Sequence, residues 1–470
     1  MHAETVPVSG LEINISFGYR RDSLDEIGNT EIPRGIKLRR ARDSFSCLSG
    51  AALSANSTLV NTNICNGLMG TEILPALDSP KSFRCIPSSR SFSSLLSSSL
   101  PSSFSNLSLN SSSPDSSNDS FLSSADVQVA GGAAGEDRVQ AVFSEEDGWL
   151  FCGIYDGFNG RDAADFLAGT LYEKVRDSLN VLDFELEESV DGTLDKQSIG
   201  HFSMELDEPV DLFKNKVLNS LQNALIQAEN DFLYVVEQEM ENRPYLASVG
   251  CCVLSILLHG NSMYVLNLGD SRAVLATYDE SADRNVLQAV QLTSTHTVDD
   301  EYERTQLLND HPDDPLPVVA GKVKGKLKVT RALGVGYLKK KIMNDALMGI
   351  LKVQNLISPP YISAQPSLVA HEISSADHFV ILGSDGLFDF FTNDELVKLV
   401  HSYLLSNLSG DPAKFLVEQL VMRAADCAGI SMEEMMSIPD GMRRKYHDDV
   451  TVIVIILGMV QRISKASTQI

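Results

Sequence analysis

An apolar run that stops abruptly at a polar turn is the most informative stretch of this chain: Trp149-Leu-Phe-Cys-Gly-Ile-Tyr-Asp-Gly-Phe-Asn-Gly160. A short apolar run bounded by turn residues is typical of a buried strand, because strands usually run about 4 to 8 residues. Two glycines and an Asn then end any regular element. The pattern therefore places Asp156 at the end of a buried strand.

The same pattern recurs along the chain, and further strands are predicted at Cys252–Leu258, Met263–Leu268, His378–Leu382 and Val450–Leu457. A Gly-containing turn joins the first two of these, which predicts an antiparallel hairpin. Helical periodicity begins after Asp162 and again near Phe213. A third helix is predicted to start at Thr392, since Glu395 completes a capping box. Hairpins separated by helices favour antiparallel sheets that pack together and are covered by helices over a parallel βαβ array.

The 470 residues divide by composition. Residues 86–124 are dominated by Ser and contain few aromatic or charged residues, so they cannot bury enough apolar surface to offset their ordering entropy. Disorder is predicted there. We therefore expect a low-complexity, largely disordered N-terminal region at residues 1–125 and one folded domain at residues 126–470.

The formal net charge of −25 argues against nucleic acid as a partner, because nucleic-acid affinity depends on Lys and Arg that neutralise phosphates. Seven cysteines occur without a Cys-x-x-Cys pair, which fits a reducing compartment. The longest apolar run, residues 450–460, is shorter than the roughly 20 residues that a membrane span needs. These features predict a cytoplasmic or nuclear protein that does not insert into a membrane.

Three predicted strands end in acidic residues: Asp156, Asp385 and Asp448. An isolated Asp-Gly after a strand is usually only a turn. Three such ends that meet at one edge of a sandwich would repel one another unless protons or cations neutralise them. Carboxylate, carbonyl and water oxygens suit hard ions such as Mg²⁺ and Mn²⁺. Gly157 adds a backbone carbonyl that an ion can approach closely, because no Cβ shields it.

Six short blocks carry a resemblance to a known family, and they occur in this order: Gly135-Glu-Asp137, Gly153-Ile-Tyr-Asp-Gly157, Asn267-Leu-Gly-Asp-Ser-Arg-Ala273, Thr330-Arg-Ala-Leu-Gly334, Gly383-Ser-Asp-Gly-Leu-Phe-Asp389 and His447-Asp-Asp-Val-Thr451. Each block is weak alone, but their joint order resembles the metal-dependent protein phosphatases of type 2C. The resemblance runs from about Asp126 to the end of the chain. The sequence of residues 134–139 and 155–160 is most similar to that of the plant Poltergeist-like group.

The resemblance implies an α+β fold, a sandwich of two mainly antiparallel sheets flanked by helices in α-β-β-α layers, with metals in a cleft at one edge. It implies hydrolysis of phosphoserine and phosphothreonine by water activated between two Mg²⁺ or Mn²⁺ ions. Asp156 would bridge the ions, the Gly157 carbonyl would bind one, and Asp385 and Asp448 would hold the other. Glu136 and Asp137 would act through water. Phosphorylated proteins, receptor or other kinases among them, would be the partners of a monomeric enzyme.

Four positions depart from the family pattern. Phe158 stands where most members have a His viewed as a proton donor, and Thr295-His296 stands where they have Asp-His. The latter change removes the expected partner of Asp270 at a third, weaker metal. Gly132 occupies the place of the usual phosphate-binding Arg, and Val335 that of an Asp.

The missing Arg leaves two candidate substitutes, Arg138 and the basic stretch Lys322–Lys341, although a solvated basic loop is the favoured interpretation of that stretch. The missing His and Arg keep a second function open. The chain would then be a weakly active or inactive phosphatase-fold module that binds phosphoproteins or kinases.

Overall fold

The computed structural model describes residues 15–20, 45–55, 83–84, 128–144, 148–191, 209–279, 286–407, 411–439 and 442–457. The predicted disorder at residues 86–124 falls outside this part of the chain. Within the described residues, no helix combines the length and the apolar character needed to cross a bilayer.

The strands, numbered in chain order, are β1 (Ile15–Arg20), β2 (Phe45–Leu53), β3 (Phe83–Arg84), β4 (Gln128–Ala134), β5 (Asp137–Ser144), β6 (Trp149–Phe158), β7 (Gly250–His259), β8 (Ser262–Leu268), β9 (Arg272–Tyr278), β10 (Leu287–Gln291), β11 (Val318–Val319), β12 (Lys322–Val323), β13 (Leu333–Gly334), β14 (Ser367–Glu372), β15 (Asp377–Gly383) and β16 (Val450–Leu457). One sheet has the order β1-β2-β16-β15-β9-β10. The other has the order β14-β8-β7-β6-β5-β4-β3, with β13 beside β7. Neighbouring strands in both sheets pair antiparallel.

The helices are α1 (Asp162–Asp191), α2 (Pro209–Glu239), α3 (Glu301–Asp310), α4 (Gly336–Lys339), α5 (Lys341–Ala346), α6 (Asp385–Phe388), α7 (Asn393–Ser406), α8 (Pro412–Ala428) and α9 (Met432–Ser437). Short 3₁₀ turns lie at Pro244–Ser248 and Arg443–Lys445. The capping box predicted at Thr392 is confirmed, because its hydroxyl accepts from the Glu395 N–H while the Glu395 carboxylate accepts from the Thr392 N–H.

Strand alternation divides the apolar side chains among three layers. On β6, Cys152 and Ile154 point between the two sheets, whereas Phe151 and Tyr155 point toward α1 and α2. Helices α7 and α8 cover the outer face of the other sheet. Both sheets are thus enclosed, and the predicted α-β-β-α sandwich is confirmed.

Residues 45–53 extend this sandwich beyond the predicted domain of residues 126–470. Strand β2 pairs with β16 in register from Leu53 opposite Val450 to Phe45 opposite Leu457. Its sequence, Phe-Ser-Cys-Leu-Ser-Gly-Ala-Ala-Leu, is rich in small residues and lacks the continuous apolar run by which the other strands were recognised. A boundary at residue 126 therefore leaves out a strand of the sheet.

The turn between β14 and β15 holds an ion pair that stabilises this edge of the sandwich. His371 Nε2 lies 2.9 Å from Asp377 Oδ2, and the Ser374 N–H donates to the same oxygen at 2.8 Å. Burial alone would raise the pKa of Asp377, but these bonds outweigh it and hold the pKa at about 2.

Candidate metal centre

Three aspartates from different strand ends converge at one edge of the sandwich. Asp156 belongs to the end of β6, Asp270 follows β8, and Asp385 begins α6 directly after β15. One carboxylate oxygen of each lies within 4.8 Å of the others. The structure therefore brings together Asp156 and Asp385, as the strand-end argument predicted, and adds Asp270.

Asp448 lies beside this trio. Among the described residues, the acidic group whose oxygens share that 4.8 Å distance consists of Asp156, Asp270 and Asp385. Asp448 is nevertheless close enough for its charge to raise the pKa of both Asp156 and Asp385. Its own carboxylate accepts from the Asp449 N–H at 2.8 Å and faces Arg444.

The electrostatics of the trio favour a cation. Burial, followed by the charges of Asp137 and Asp385, raises the pKa of Asp156 well above its ordinary value of 3.8. Burial and the charge of Asp270 raise the pKa of Asp385 to about 8. Such a cluster either retains protons or binds a cation that removes the repulsion. Because the donors are all oxygen, they fit a hard divalent ion.

Glu136 and Asp137 sit at the rim of this cluster, at the start of β5. Asp137 is buried, and its Oδ2 accepts from the Thr451 hydroxyl at 2.8 Å. The Glu136 N–H donates to Asp449 Oδ2 at 2.8 Å. A Cβ on Gly135 would lie 2.2 Å from the same oxygen, and its φ of +59° also favours glycine. Asp449, to which sequence reasoning assigned no role, therefore fixes the turn that presents both acids.

Gly157 allows this turn to approach the end of β6. A Cβ at residue 157 would lie 2.4 Å from the backbone oxygen of Glu136. A contact that short cannot be accommodated without moving one of the two backbones. The predicted role of the Gly157 carbonyl as a metal ligand stays a prediction beside this steric role.

Two of the four departures from the family pattern meet in space. A Cβ on Gly250 would lie 2.6 Å from Phe158 Cζ and 2.7 Å from Val335 Cγ1, so both side chains cover this glycine. Val335 is buried and holds a left-handed φ of +46°, which is unfavourable for a β-branched residue. The side chains at the positions where the family has His and Asp are thus both apolar and both pack against Gly250.

The surroundings of Asp270 also differ from the family pattern. The Cys252 thiol donates to Asp270 Oδ1 at 3.3 Å. His296 Nδ1 accepts from the Gly269 N–H at 3.1 Å. Burial, with a smaller contribution from Arg331, lowers the pKa of His296 to about 4, so the imidazole is neutral at pH 7.

A cavity of about 300 Å³ opens beside Asp270 and Asp385, and it is lined by Arg272, Thr295, Lys328 and Asp389 as well. Acidic and basic side chains therefore face one cavity next to the acidic trio.

Of the two substitutes considered for the missing phosphate-binding Arg, Arg138 and the buried lysines of the basic stretch are engaged elsewhere. Lys328 of that stretch is exposed and lines the cavity. Arg138 is buried, pairs with Asp165 and donates to the carbonyl of Asp137 at 2.6 Å, so it cannot reach a substrate. The basic stretch Lys322–Lys341 is held largely by ion pairs, and the interpretation of a solvated loop is wrong for its buried members. Lys324 lies 2.7 Å from Asp314, and Lys339 lies 2.5 Å from Glu229.

Arg444 is the basic residue that sequence reasoning missed. Its guanidinium contacts the carboxylates of Glu136 and Asp448. The signal available in the sequence was its place four residues before Asp448, but nothing local shows that Glu136, more than 300 residues earlier, shares the contact.

Comparisons with known proteins identify the family of this chain. The protein phosphatase 2C family profile matches residues 115–426. The chain is 58% identical over 486 aligned residues to probable protein phosphatase 2C 40 of Arabidopsis thaliana, covering 97% of this chain and 98% of that protein. It is 52% identical to probable protein phosphatase 2C 39 of Oryza sativa subsp. japonica, covering 97% and 94%.

A solved structure, the serine-threonine phosphatase 2C from Toxoplasma gondii, is similar with a TM-score of 0.45 and 16% identity over 71% of this chain and 95% of that one. None of these names distinguishes the Poltergeist-like group, which stays a prediction.

Proposed function

The chain belongs to the protein phosphatase 2C family, and from that premise we propose that it hydrolyses phosphoserine and phosphothreonine in proteins at a centre of two divalent ions, Mg²⁺ or Mn²⁺. The observation that carries the proposal is the convergence of Asp156, Asp270 and Asp385 within 4.8 Å. Metal dependence is general in this family, and the trio supplies only hard oxygen donors.

The proposed ligands divide between the trio and its neighbours. Asp156, the Gly157 carbonyl, Asp385 and Asp448 would hold the ions. Asp270 joins this set because its carboxylate lies with those of Asp156 and Asp385. Bound divalent ions would neutralise phosphoryl charge and lower the pKa of water.

The remaining site residues orient water and substrate. Thr451 holds one oxygen of Asp137, which leaves the other to accept from a water molecule. Asp449 fixes the backbone of Glu136 and so sets where both acids point. The Phe158 side chain has no acidic proton to donate to a leaving group. A missing general acid costs about 10² to 10⁴ in rate. We therefore expect that activity on aryl phosphates, whose leaving groups need no proton, falls less relative to other family members than activity on phosphopeptides.

The test is turnover of a phosphoserine peptide with and without Mn²⁺ by the full chain and by Asp385→Asn and Asp156→Asn. The two variants should lose at least about 10²-fold in kcat, as expected when charge stabilisation at the reacting centre is removed. Asp426→Asn, an exposed position on α8, is the matched control and should retain full activity. Wild-type turnover no higher than that of Asp385→Asn would refute the proposal.

A second candidate follows from the apolar side chain of Phe158, which packs against Gly250. With no proton donor there, the same centre would bind phosphoproteins and release them without hydrolysis. Retention of a phosphoserine peptide by the Mn²⁺-loaded protein, with no phosphate released, would favour this candidate over the enzyme.

A further inference from the structure

Arg444 occupies a position between two acidic residues of the metal centre. It lies in the 3₁₀ turn Arg443–Lys445, just before β16. Its Nη1 is 3.3 Å from Glu136 Oε2, and its Nη2 is 3.3 Å from Asp448 Oδ1. Both separations exceed the roughly 2.7–2.9 Å of a tight charge-assisted hydrogen bond. The guanidinium is thus held loosely by the site.

The side chain of Arg444 also remains accessible, with 43% of its surface exposed. A guanidinium has five N–H donors, and the described contacts use at most three of them. Its backbone, by contrast, is anchored. Arg443 beside it is buried, and the His447 N–H donates to the Arg443 carbonyl at 3.2 Å. A side chain with an anchored backbone and unused N–H donors is pre-organised to bind an anion.

A cation here would add to the attraction that bound divalent ions exert on a phosphate dianion, because the carboxylates of the centre offset part of the charge of those ions. Two other basic residues, Arg272 and Lys328, line the cavity beside the trio, but among the described contacts neither pairs with a carboxylate of the centre. Arg272 packs over the Phe388 ring at 4.7 Å, and Lys328 lies 3.4 Å from Asp299. Arg138 is buried against Asp165. Arg444 combines contact with two site carboxylates and access to solvent.

We propose that Arg444 binds two non-bridging oxygens of the substrate phosphoryl group through its planar guanidinium. This proposal rests on the proposed phosphatase function and adds the residue that recognises the phosphate. Glu136 and Asp448 orient the guanidinium, and the phosphate takes up donors that these carboxylates leave unused. Lysine would keep the charge at this position but not the paired donors that fit a phosphate.

The experiment uses the full chain with saturating Mn²⁺, p-nitrophenyl phosphate as substrate and inorganic phosphate as competitive inhibitor. Arg444→Ala should raise the Ki of phosphate and the KM of the substrate by about ten- to a hundredfold, the usual effect of losing hydrogen bonds to a charged group. Arg444→Lys should fall between Arg444→Ala and wild type. Lys445→Ala, an exposed neighbour in the same turn, should match wild type.

Two results would overturn the proposal. One is an unchanged phosphate Ki in Arg444→Ala with an unchanged half-saturating Mn²⁺ concentration. The other is weaker Mn²⁺ binding with an unchanged phosphate Ki once Mn²⁺ is saturating, since Arg444 would then act only on its carboxylate neighbours. If Arg444→Ala does not fold, as judged by its thermal unfolding, Arg444→Gln replaces it under the same criteria.

Calorimetric titration of inorganic phosphate into the Mn²⁺-loaded protein separates this inference from the proposed function. If wild type binds phosphate without hydrolysing substrate, the proposed function fails, and loss of that binding in Arg444→Ala still supports the role of Arg444. Equal phosphate binding by wild type and Arg444→Ala overturns it whether or not the protein is active.

Discussion

Strand β2 provides a sharp test of where the folded domain begins. Phe45, Leu48 and Leu53 are each at most 3% exposed. Burying a large apolar side chain stabilises by about 1.5–3 kcal/mol, so the three together contribute about 5 to 9 kcal/mol as an upper bound. That is comparable to the whole stability of about 5–15 kcal/mol typical of a native protein. Deleting residues 1–55 should therefore abolish cooperative folding, whereas excising residues 86–124 should not.

Urea unfolding followed by circular dichroism gives the measurement, and single substitutions refine it. Leu48→Ala should lower the free energy of unfolding by about 2–5 kcal/mol, because it leaves a cavity between the sheets. Leu405→Ala, 61% exposed on α7, is the matched control and should change it by less than about 0.5 kcal/mol. A 1–55 deletion that unfolds at the same urea midpoint as the full chain would show that β2 contributes nothing to the sheet.

The same segment should also affect catalysis. The Ala55 N–H donates to Asp449 Oδ1 at 2.7 Å, while Asp449 Oδ2 holds the Glu136 N–H. One carboxylate therefore ties the end of β2 to the turn that presents Glu136 and Asp137. Asp449→Asn, which turns one acceptor into a donor, should lower kcat at temperatures where the variant stays folded, and unchanged kcat would contradict this link.

Three further predictions concern single contacts. Phe158→His combined with Val335→Asp should raise phosphopeptide kcat by more than the product of the two single effects, measured in a double-mutant cycle, because both side chains pack against Gly250. Gly157→Ala should lower kcat by at least about tenfold in the same assay, since its Cβ would lie 2.4 Å from the Glu136 oxygen. Asp377→Asn should lower the free energy of unfolding at pH 7 by about 1–2 kcal/mol, discounted for solvent screening. The folded pKa of Asp377, about 2, lies below its unfolded value. Its contribution to the free energy of unfolding is therefore fully present above about pH 4 and is lost as the pH falls toward 2. The difference in urea unfolding between Asp377→Asn and wild type should shrink over the same range.

The sequence revealed those features that are encoded locally. Continuous apolar runs located β6 and β16, and helical spacing located α1, because each pattern lies within a dozen or so neighbouring residues. Strand β2 escaped notice because many of its residues are small and because it pairs with β16, some 400 residues away. The contact of Arg444 with the site could not be predicted for the same reason, because its partner Glu136 lies more than 300 residues earlier in the chain.

The charge pattern shows why the sequence alone led to the wrong basic residues as candidates for binding the phosphate. The stretch Lys322–Lys341 is the most basic part of an acidic chain, which suggests an anion site, yet its buried lysines pair with Asp314 and Glu229. A buried ion must be paired, so a lysine with a close carboxylate partner has little capacity left for a substrate. Exposure and loosely held donors identify a binding cation better than charge density does. By that criterion Arg444, 43% exposed in a short turn that sequence reasoning passed over, is a stronger candidate than the buried lysines of the basic stretch.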